Sequence, residues 1–298
     1  MSEHSFEGRV AVVTGAGRGI GRAYARLLAD RGARVVVNDL GGSTEGVGAD
    51  AEPASATAGE IVAAGGTAIA DHSDVATADG AHALIEAAIA QFGRLDVLIN
   101  NAGIVRWARF AEADADNLSA HLAVHVIGSF NTTRAAWPHM VEQGYGRIVM
   151  TTSTGMFGLA GNFSYATAKA AVIGLTRSLS TEGPKHGIKI NLIAPGALTR
   201  MAGHPTEEAS PEMSPDLVAP MVAFLAHEDC PVSGEIYAAG FGRFARIFIA
   251  STEGYVHPGP APTIEDVAAH WDTINDETGY SVPADLTAWS AAFMSHLT

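Results

Sequence analysis

The chain has 298 residues, 47% of them hydrophobic and 17% charged, and a formal net charge of −14 at pH 7. It is long enough for a substantial core and has an ordinary globular composition. No run of Lys or Arg relieves the acidity, which argues against nucleic acid or anionic membranes as partners, and the single Cys230 rules out an internal disulfide. The opening Met-Ser-Glu-His-Ser-Phe-Glu-Gly has neither a basic start nor an apolar segment. The apolar runs are too short to span a bilayer, so the expected location is the cytoplasm, with no membrane partner.

Arg9 to Thr14 is a short β-branched run that ends at Gly15-Ala16-Gly17-Arg18-Gly19-Ile20-Gly21. A helical pattern follows to Arg31-Gly32, then a second strand from Ala33 to Asn38, closed by Asp39. Strand, glycine turn, helix, strand and acid make up the βαβ dinucleotide unit. Gly15 permits the tight turn, Gly19 lets a pyrophosphate approach the backbone, and Gly21 lets helix and sheet pack closely. Asp39 stands where a carboxylate binds the adenosine ribose hydroxyls and repels a 2′-phosphate. At about 4 Å and an effective dielectric near 20, each phosphate charge would cost about 4 kcal/mol before screening. Arg18 pulls the other way. The balance predicts NAD rather than NADP.

Residues 40–55 form a glycine-rich, acidic loop, longer than usual for this connection. A helix over 58–64, a strand over 67–70 and Ser73-Asp74-Val75 follow. A helix over 78–92 leads to a strand over 95–100, with Asn101-Ala102-Gly103 at its carboxyl end, the ligand side of a parallel sheet. Residues 114–139 read as one long helix carrying His121 and His125, four apart. No further ligand accompanies that pair at a metal-binding spacing, so no metal is expected and both belong to a core or a site edge.

The strand over 147–152 delivers Ser153. Next comes a helix over 164–179, on which Tyr165 and Lys169 share one face. An ammonium about 6 Å from a phenol is worth about 3 kcal/mol, or about two pKa units, at an effective dielectric near 20. That is a route to a working base near neutral pH. The alternating pattern continues with a strand over 188–194, Pro195-Gly196, a flap over 197–215, a helix over 216–226 and a strand over 235–238. Beyond it stand a strand over 243–251, a helix from the Thr263 cap to about Asn275 and a helix over 283–296. The fold class is therefore α/β, a doubly wound parallel sheet of Rossmann type with helices on both faces. We expect a single domain with its core over 1–240, and a C-terminal extension over 241–298 too poor in apolar residues for a core of its own.

Thr14-Gly-Ala-Gly-Arg-Gly-Ile-Gly21, Asn100-Asn-Ala-Gly103, Ser153, Tyr165-xxx-Lys169 and Pro195-Gly196 together resemble the short-chain dehydrogenases/reductases. Asn38-Asp-Leu-Gly-Gly, Thr133-Arg-Ala-Ala-Trp-Pro-His-Met140 and the tail with Trp271 are similar to one subgroup. Its members are the (3R)-hydroxyacyl-CoA dehydrogenase domains of peroxisomal multifunctional enzymes type 2 and their bacterial single-domain relatives, and it also includes 17β-hydroxysteroid dehydrogenases. The resemblance implies an oxidoreductase that interconverts a secondary alcohol and a ketone with NAD. A 3-hydroxyacyl-CoA is its first-choice substrate and a hydroxysteroid, free or as a CoA thioester, its second. It assigns Tyr165 as general acid/base, Ser153 as the group that polarises the substrate oxygen, and Lys169 as ribose ligand and modulator of Tyr165. Asp39 would hold the adenosine ribose, Asp74 and Val75 the adenine, and Asn101, Ala102 and Gly103 the cleft wall. Ile193, Pro195, Gly196 and Thr199 would lie near the nicotinamide. The serine-to-tyrosine spacing is one residue short of the common one, which leaves Thr152 and Thr154 as alternative hydroxyls. His125 falls where many members carry a relay asparagine, so a proton-relay role stays open. Members of the family pair their long helices into homodimers or homotetramers. A non-catalytic NAD-sensing module is the reading from a different class, and it would have no use for Ser153, Tyr165 and Lys169 together.

Overall fold

The β-branched runs become the strands of one sheet in the computed structural model, which describes residues 4–202, 210–259 and 261–297. In chain order they are β1 (Val10–Thr14), β2 (Arg34–Asn38), β3 (Thr67–Asp71), β4 (Val97–Asn100), β5 (Gly146–Thr151), β6 (Ile188–Gly196), β7 (Ile236–Gly240) and β8 (Arg243–Ile247). Their order across the sheet is β3-β2-β1-β4-β5-β6-β7-β8. The ladders from β3 through to β7 are parallel, with Val12 of β1 opposite both Val36 of β2 and Leu98 of β4. Every residue of β1, β4 and β5 is buried. A sheet covered on both faces demands such strands, which read as unbroken apolar runs and not as alternating ones. The strand order reverses between β1 and β4, and a crevice opens beyond the carboxyl ends there.

The covering helices are α1 (Gly19–Asp30), α2 (Glu52–Ala63), α3 (Ala78–Phe92), α4 (Ala115–His121), α5 (Ser129–Gln143), α6 (Phe163–Glu182) and α7 (Ala219–Ala226). α2 starts earlier than its apolar pattern shows. Glu52 and Pro53 occupy its first turn, where a missing N–H and an acidic charge are both favourable. The single helix expected over 114–139 is interrupted: Leu122–Gly128 winds as a π-helix between α4 and α5. Side-chain caps fix the starts of α3 (Thr77 to the Gly80 N–H), α4 (Asp114 to Asn117) and α6 (Asn162 to Tyr165).

The chain falls into two compact units, Met1–Arg246 and Ile247–Thr298, a division somewhat later than the 240/241 boundary read from the sequence. The second unit carries α8 (Ile264–Ala269), α9 (Trp271–Ile274) and α10 (Leu286–Phe293). The helix expected from Thr263 to about Asn275 is broken at His270, although the Thr263–Asp266 capping box forms. No described residue from 247 onward is buried. Of the expected flap, the described parts are short 3₁₀ turns at Arg200–Ala202, Pro211–Met213 and Pro215–Leu217, while 203–209 lie outside the described residues. Among the described residues no helix is long and apolar enough to cross a membrane.

Candidate active site

The crevice at the β1/β4 reversal is a cleft of about 450 Å³. Gly15, Arg18, Gly19, Ile20 and Gly21 line it from the β1–α1 turn, Asp39 from the end of β2, and Asp74 and Val75 from the segment after β3. Asn101, Ala102 and Gly103 contribute from the end of β4, and Thr199 from beyond β6. The glycines are dictated by contact. Gly15 has φ +62° and a Cβ there would stand 2.8 Å from the Ala102 Cα; a Cβ on Gly21 would stand 2.2 Å from the Gly15 carbonyl. Gly19 is different: its added Cβ would meet only Thr199, so this position opens to the cleft. α1 begins at Gly19 without a side-chain cap, which leaves its first N–H groups for an anionic ligand.

The Asp39 carboxylate is held by backbone donors, the Gly17 N–H at 2.9 Å on one oxygen and the Gly41 N–H at 2.7 Å on the other. Each oxygen keeps lone-pair capacity for a hydroxyl donor. Arg18 donates to the Gly42 carbonyl at 3.1 Å, and Arg200, from the loop beyond β6, reaches the same carbonyl at 3.4 Å. Among the described residues neither arginine forms an ion pair; burial and the neighbouring Arg18 lower the pKa of Arg200, against the pull of Asp39. Asn101 does not point its amide at the cleft alone: Nδ2 donates to the Thr14 and Gly15 carbonyls at 2.9 and 3.1 Å. Thr14 Oγ1 in turn accepts from the Asn101 and Ala102 N–H groups, tying the ends of β1 and β4. Pro195 and Gly196 close β6, and a Cβ on Gly196 would strike the Phe241 ring at 2.8 Å.

Ser153 stands two residues past the end of β5; its hydroxyl accepts from the Gly155 N–H at 3.0 Å and lies beside Tyr165, whose pKa it pulls down. Thr152, weighed as an alternative hydroxyl, is fully buried and donates to the Lys169 carbonyl at 2.7 Å. Thr154 opens the 3₁₀ turn that runs to Phe157. Lys169 is 3% exposed; its Nζ donates to the Thr151 carbonyl at 2.8 Å and lies 5.7 Å from the centre of the Tyr165 ring. The shift at Tyr165 runs opposite to the lowering expected from the four-residue spacing. Burial pushes the phenol up, opposed by the Ser153 hydroxyl, and burial pushes the lysine down to about 7. The same desolvation that brings the two groups together disfavours the charge on each.

His121 and His125 both face Tyr165, with ring centroids at 6.3 and 5.4 Å and near-perpendicular planes. Both rings bond backbone groups, and among the described residues no group of three or more His, Cys, Asp or Glu could hold a metal ion. The edge of His125 explains Gly103, whose added Cβ would lie 2.5 Å from its Cε1. The partners of Thr14, Thr152 and Arg200 (the β4 end, the Lys169 carbonyl and the Gly42 carbonyl) are not marked in the sequence, since each contact joins distant segments. Asn162 carried a signal that went unused: a capping residue three before the tyrosine, at a helix start.

Residues 9–209 match the family model described as short chain dehydrogenase. A protein of Mycobacterium tuberculosis named as the short-chain type dehydrogenase/reductase Rv0148 is 42% identical over 280 residues, covering 92% of this chain and 96% of its own. The peroxisomal multifunctional enzyme type 2 of Mus musculus is 41% identical over 93% of this chain, which spans 38% of that enzyme. The solved full-length peroxisomal multifunctional enzyme type 2 of Drosophila melanogaster superposes with a TM-score of 0.81 at 33% identity, covering 98% of this chain and 50% of that one. The chain belongs to the short-chain dehydrogenase family. It is an oxidoreductase acting on CH–OH groups, of a family that binds a nicotinamide cofactor.

Proposed function

We propose that the chain is an NAD-dependent dehydrogenase that interconverts a 3-hydroxyacyl-CoA and its 3-oxo counterpart. The observation that carries this reading is the Ser153–Tyr165–Lys169 cluster, which meets the wall of the Asp39 cleft through His125: that ring faces Tyr165 and lies against Gly103. The subgroup resemblance supplies the substrate class. The cleft fits a dinucleotide: the uncapped start of α1 and the open face of Gly19 suit its pyrophosphate, and the two backbone-held oxygens of Asp39 suit two ribose hydroxyls. Asp39 favours NAD; Arg18 and Arg200 soften its discrimination against a 2′-phosphate. Asp74 and Val75 would flank the adenine, and Thr199, Pro195 and Gly196 would border the nicotinamide end. When bound, the nicotinamide supplies the two-electron redox chemistry and, in its oxidised form, a positive charge.

The residues supply proton handling and aim. Tyr165 takes the substrate hydroxyl proton in oxidation and returns it in reduction. Ser153, beside Tyr165, would bond the same substrate oxygen. Lys169, in its protonated form, sets its ammonium 5.7 Å from the centre of the Tyr165 ring and stabilises the phenolate as it forms. A hydroxysteroid is the second reading, favoured by Trp107, Phe110 and Phe157, aromatic side chains 59, 79 and 73% exposed and available to an apolar ring system. We also propose a homodimer or homotetramer, supported by the exposed small residues Ala170, Ala171 and Gly174 of α6; Ala168, expected on that face, is buried. Parallel turnover assays with 3-hydroxybutyryl-CoA and a 17β-hydroxysteroid, each with NAD and with NADP, test the reading. Turnover of the steroid alone, or with NADP alone, would sink it.

A further inference from the structure

The long loop after β2 and the pair of histidines have so far no part in the chemistry, yet they are joined by a continuous set of bonds. The loop closes on itself where the Asp50 N–H meets the Leu40 carbonyl at 2.9 Å. Its tip lies on the extended segment after Gly103: the Val105 N–H donates to the Thr44 carbonyl at 2.8 Å, and Arg106 Nε donates to the Glu45 carbonyl at 2.7 Å. Gly46 sits against Ile104 so tightly that a Cβ would come within 2.9 Å of it. Loop residues Leu40, Gly42, Ser43 and Gly46 line the dinucleotide cleft, as does Ile104.

The segment 104–106 is in turn held from behind by imidazoles. The Arg106 N–H donates to His121 Nε2 at 3.1 Å, and His121 Nδ1 bonds the Asn117 carbonyl at 2.8 Å. A carbonyl only accepts, so Nδ1 carries the proton and Nε2 the lone pair: the ring is neutral and its tautomer fixed. His125 Nε2 stands 2.9 Å from the Ile104 carbonyl and 3.3 Å from its N–H, while Nδ1 is buried without a partner. The rings stack at 6.1 Å, 14° from parallel. Ile104 and Arg106 project backbone groups of an extended chain at a spacing of two, and His121 and His125 meet them one helical turn apart. The π-helix beginning at Leu122 adjusts that turn, a recurrent device at functional sites.

We propose that His121 and His125 are positioning residues: as neutral imidazoles they clamp the backbone at Arg106 and Ile104, and through it seat the 40–50 loop against the dinucleotide cleft and fix the cleft wall relative to Tyr165. The cations beside the pair, Lys169 and Arg106, favour its neutral state. Lys169 and Tyr165 face it from α6 and Arg106 from the clamped segment; burial lowers both histidine pKa values, with Lys169 acting on both and Arg106 on His121, against the raising pull of the Asn117 and Ile104 carbonyls. Neutrality is what the Nε2 acceptor of His121 needs; at His125 the shorter contact, to the Ile104 carbonyl, makes Nε2 the donor. The role differs from a proton relay, because His121 touches no reacting atom and would still matter. The inference rests on the cofactor-cleft reading above and not on the substrate.

The test uses the full chain. His121→Phe keeps the ring shape and removes the acceptor, whereas His121→Gln places an amide oxygen near the position of Nε2. Hydrogen–deuterium exchange of the free protein should show peptides covering 40–50 and 101–108 exchanging about tenfold faster in His121→Phe and near wild-type rates in His121→Gln. NADH affinity, read by fluorescence, should fall about tenfold in the Phe variant, with KM for the cofactor rising more than kcat falls. His125→Phe should behave likewise. Unchanged exchange in both segments overturns the proposal, as does a His125→Phe variant that loses kcat alone, which is the signature of a relay. Should the Phe variants not fold, side-chain NMR of the wild type decides: a protonated Nε2 on His121 at neutral pH overturns the clamp. Wild type that binds neither NADH nor NADPH would sink the cofactor reading while the exchange result stands separately.

Discussion

Lys169 carries a cost in stability that its position makes measurable. Its pKa in the folded chain is about 7, against about 10.4 in an unfolded one. Below about pH 7 both states hold the proton and the burial penalty is complete; between the two values the folded state has released a proton that the unfolded state retains, so stability rises with pH. Lys169→Met should therefore be more stable than wild type at pH 6, by about 1–3 kcal/mol, and the advantage should shrink by pH 9.5. Thermal melts across pH read it out, and a constant difference would remove desolvation as the cause. Tyr165→Phe should keep cofactor affinity and lose turnover by about 10²–10⁴-fold, the usual worth of a positioned acid/base; steady-state kinetics beside NADH titration checks it. Ser153, Tyr165 and Lys169 were legible in the sequence because a strand end and one helix face are local facts. The direction of the Tyr165 shift was not, since it depends on burial by histidines about forty residues away in the chain.

Elements were readable where periodicity was the whole signal and unreadable where a partner decided. The strands stood out as β-branched runs bounded by glycine. The π-helix did not, because a π turn keeps a helical apolar pattern and is set by what its side chains must reach. The long loop after β2 was recognised by its length, but its seat on residues 104–106 comes from backbone hydrogen bonds, which no side-chain pattern announces. α6 gives the element-scale prediction. Asn162 Oδ1 accepts from the Tyr165 N–H at 3.1 Å, so one cap both starts the helix and sets the tyrosine. Asn162→Ala should cost about 1 kcal/mol of stability and lower kcat, while Asn162→Asp should restore both. Denaturant melts and kinetics on the pair decide it; a stable Ala variant with full kcat would show that the cap sets nothing.

At the scale of the molecule the two units differ in what holds them. Residues up to Arg246 enclose a sheet whose central strands are fully buried, whereas no described residue from Ile247 onward is buried. Without a buried core a short segment lacks the apolar gain that offsets chain entropy. A peptide of residues 247–298 should accordingly show no cooperative thermal transition by circular dichroism, and a sharp one would give that unit a core of its own. The α/β class and the order of its elements were evident from the alternation of patterns. The sheet order was not, because which strand lies beside β1 is settled by crossovers and not by local sequence.

That order also sets how the chain can fold. Val12 must meet Val36 on one side and Leu98 on the other. Closing the second loop spans nearly two doublings of the first and costs about 1 kcal/mol more in chain entropy. The three strands through β3 can assemble early, and so can the consecutive ladder from β4 onward, but the seam between β1 and β4 has to wait for the longest closure. The dinucleotide cleft lies on that seam. Refolding should therefore regain the cleft last, with cofactor binding lagging behind the return of secondary structure.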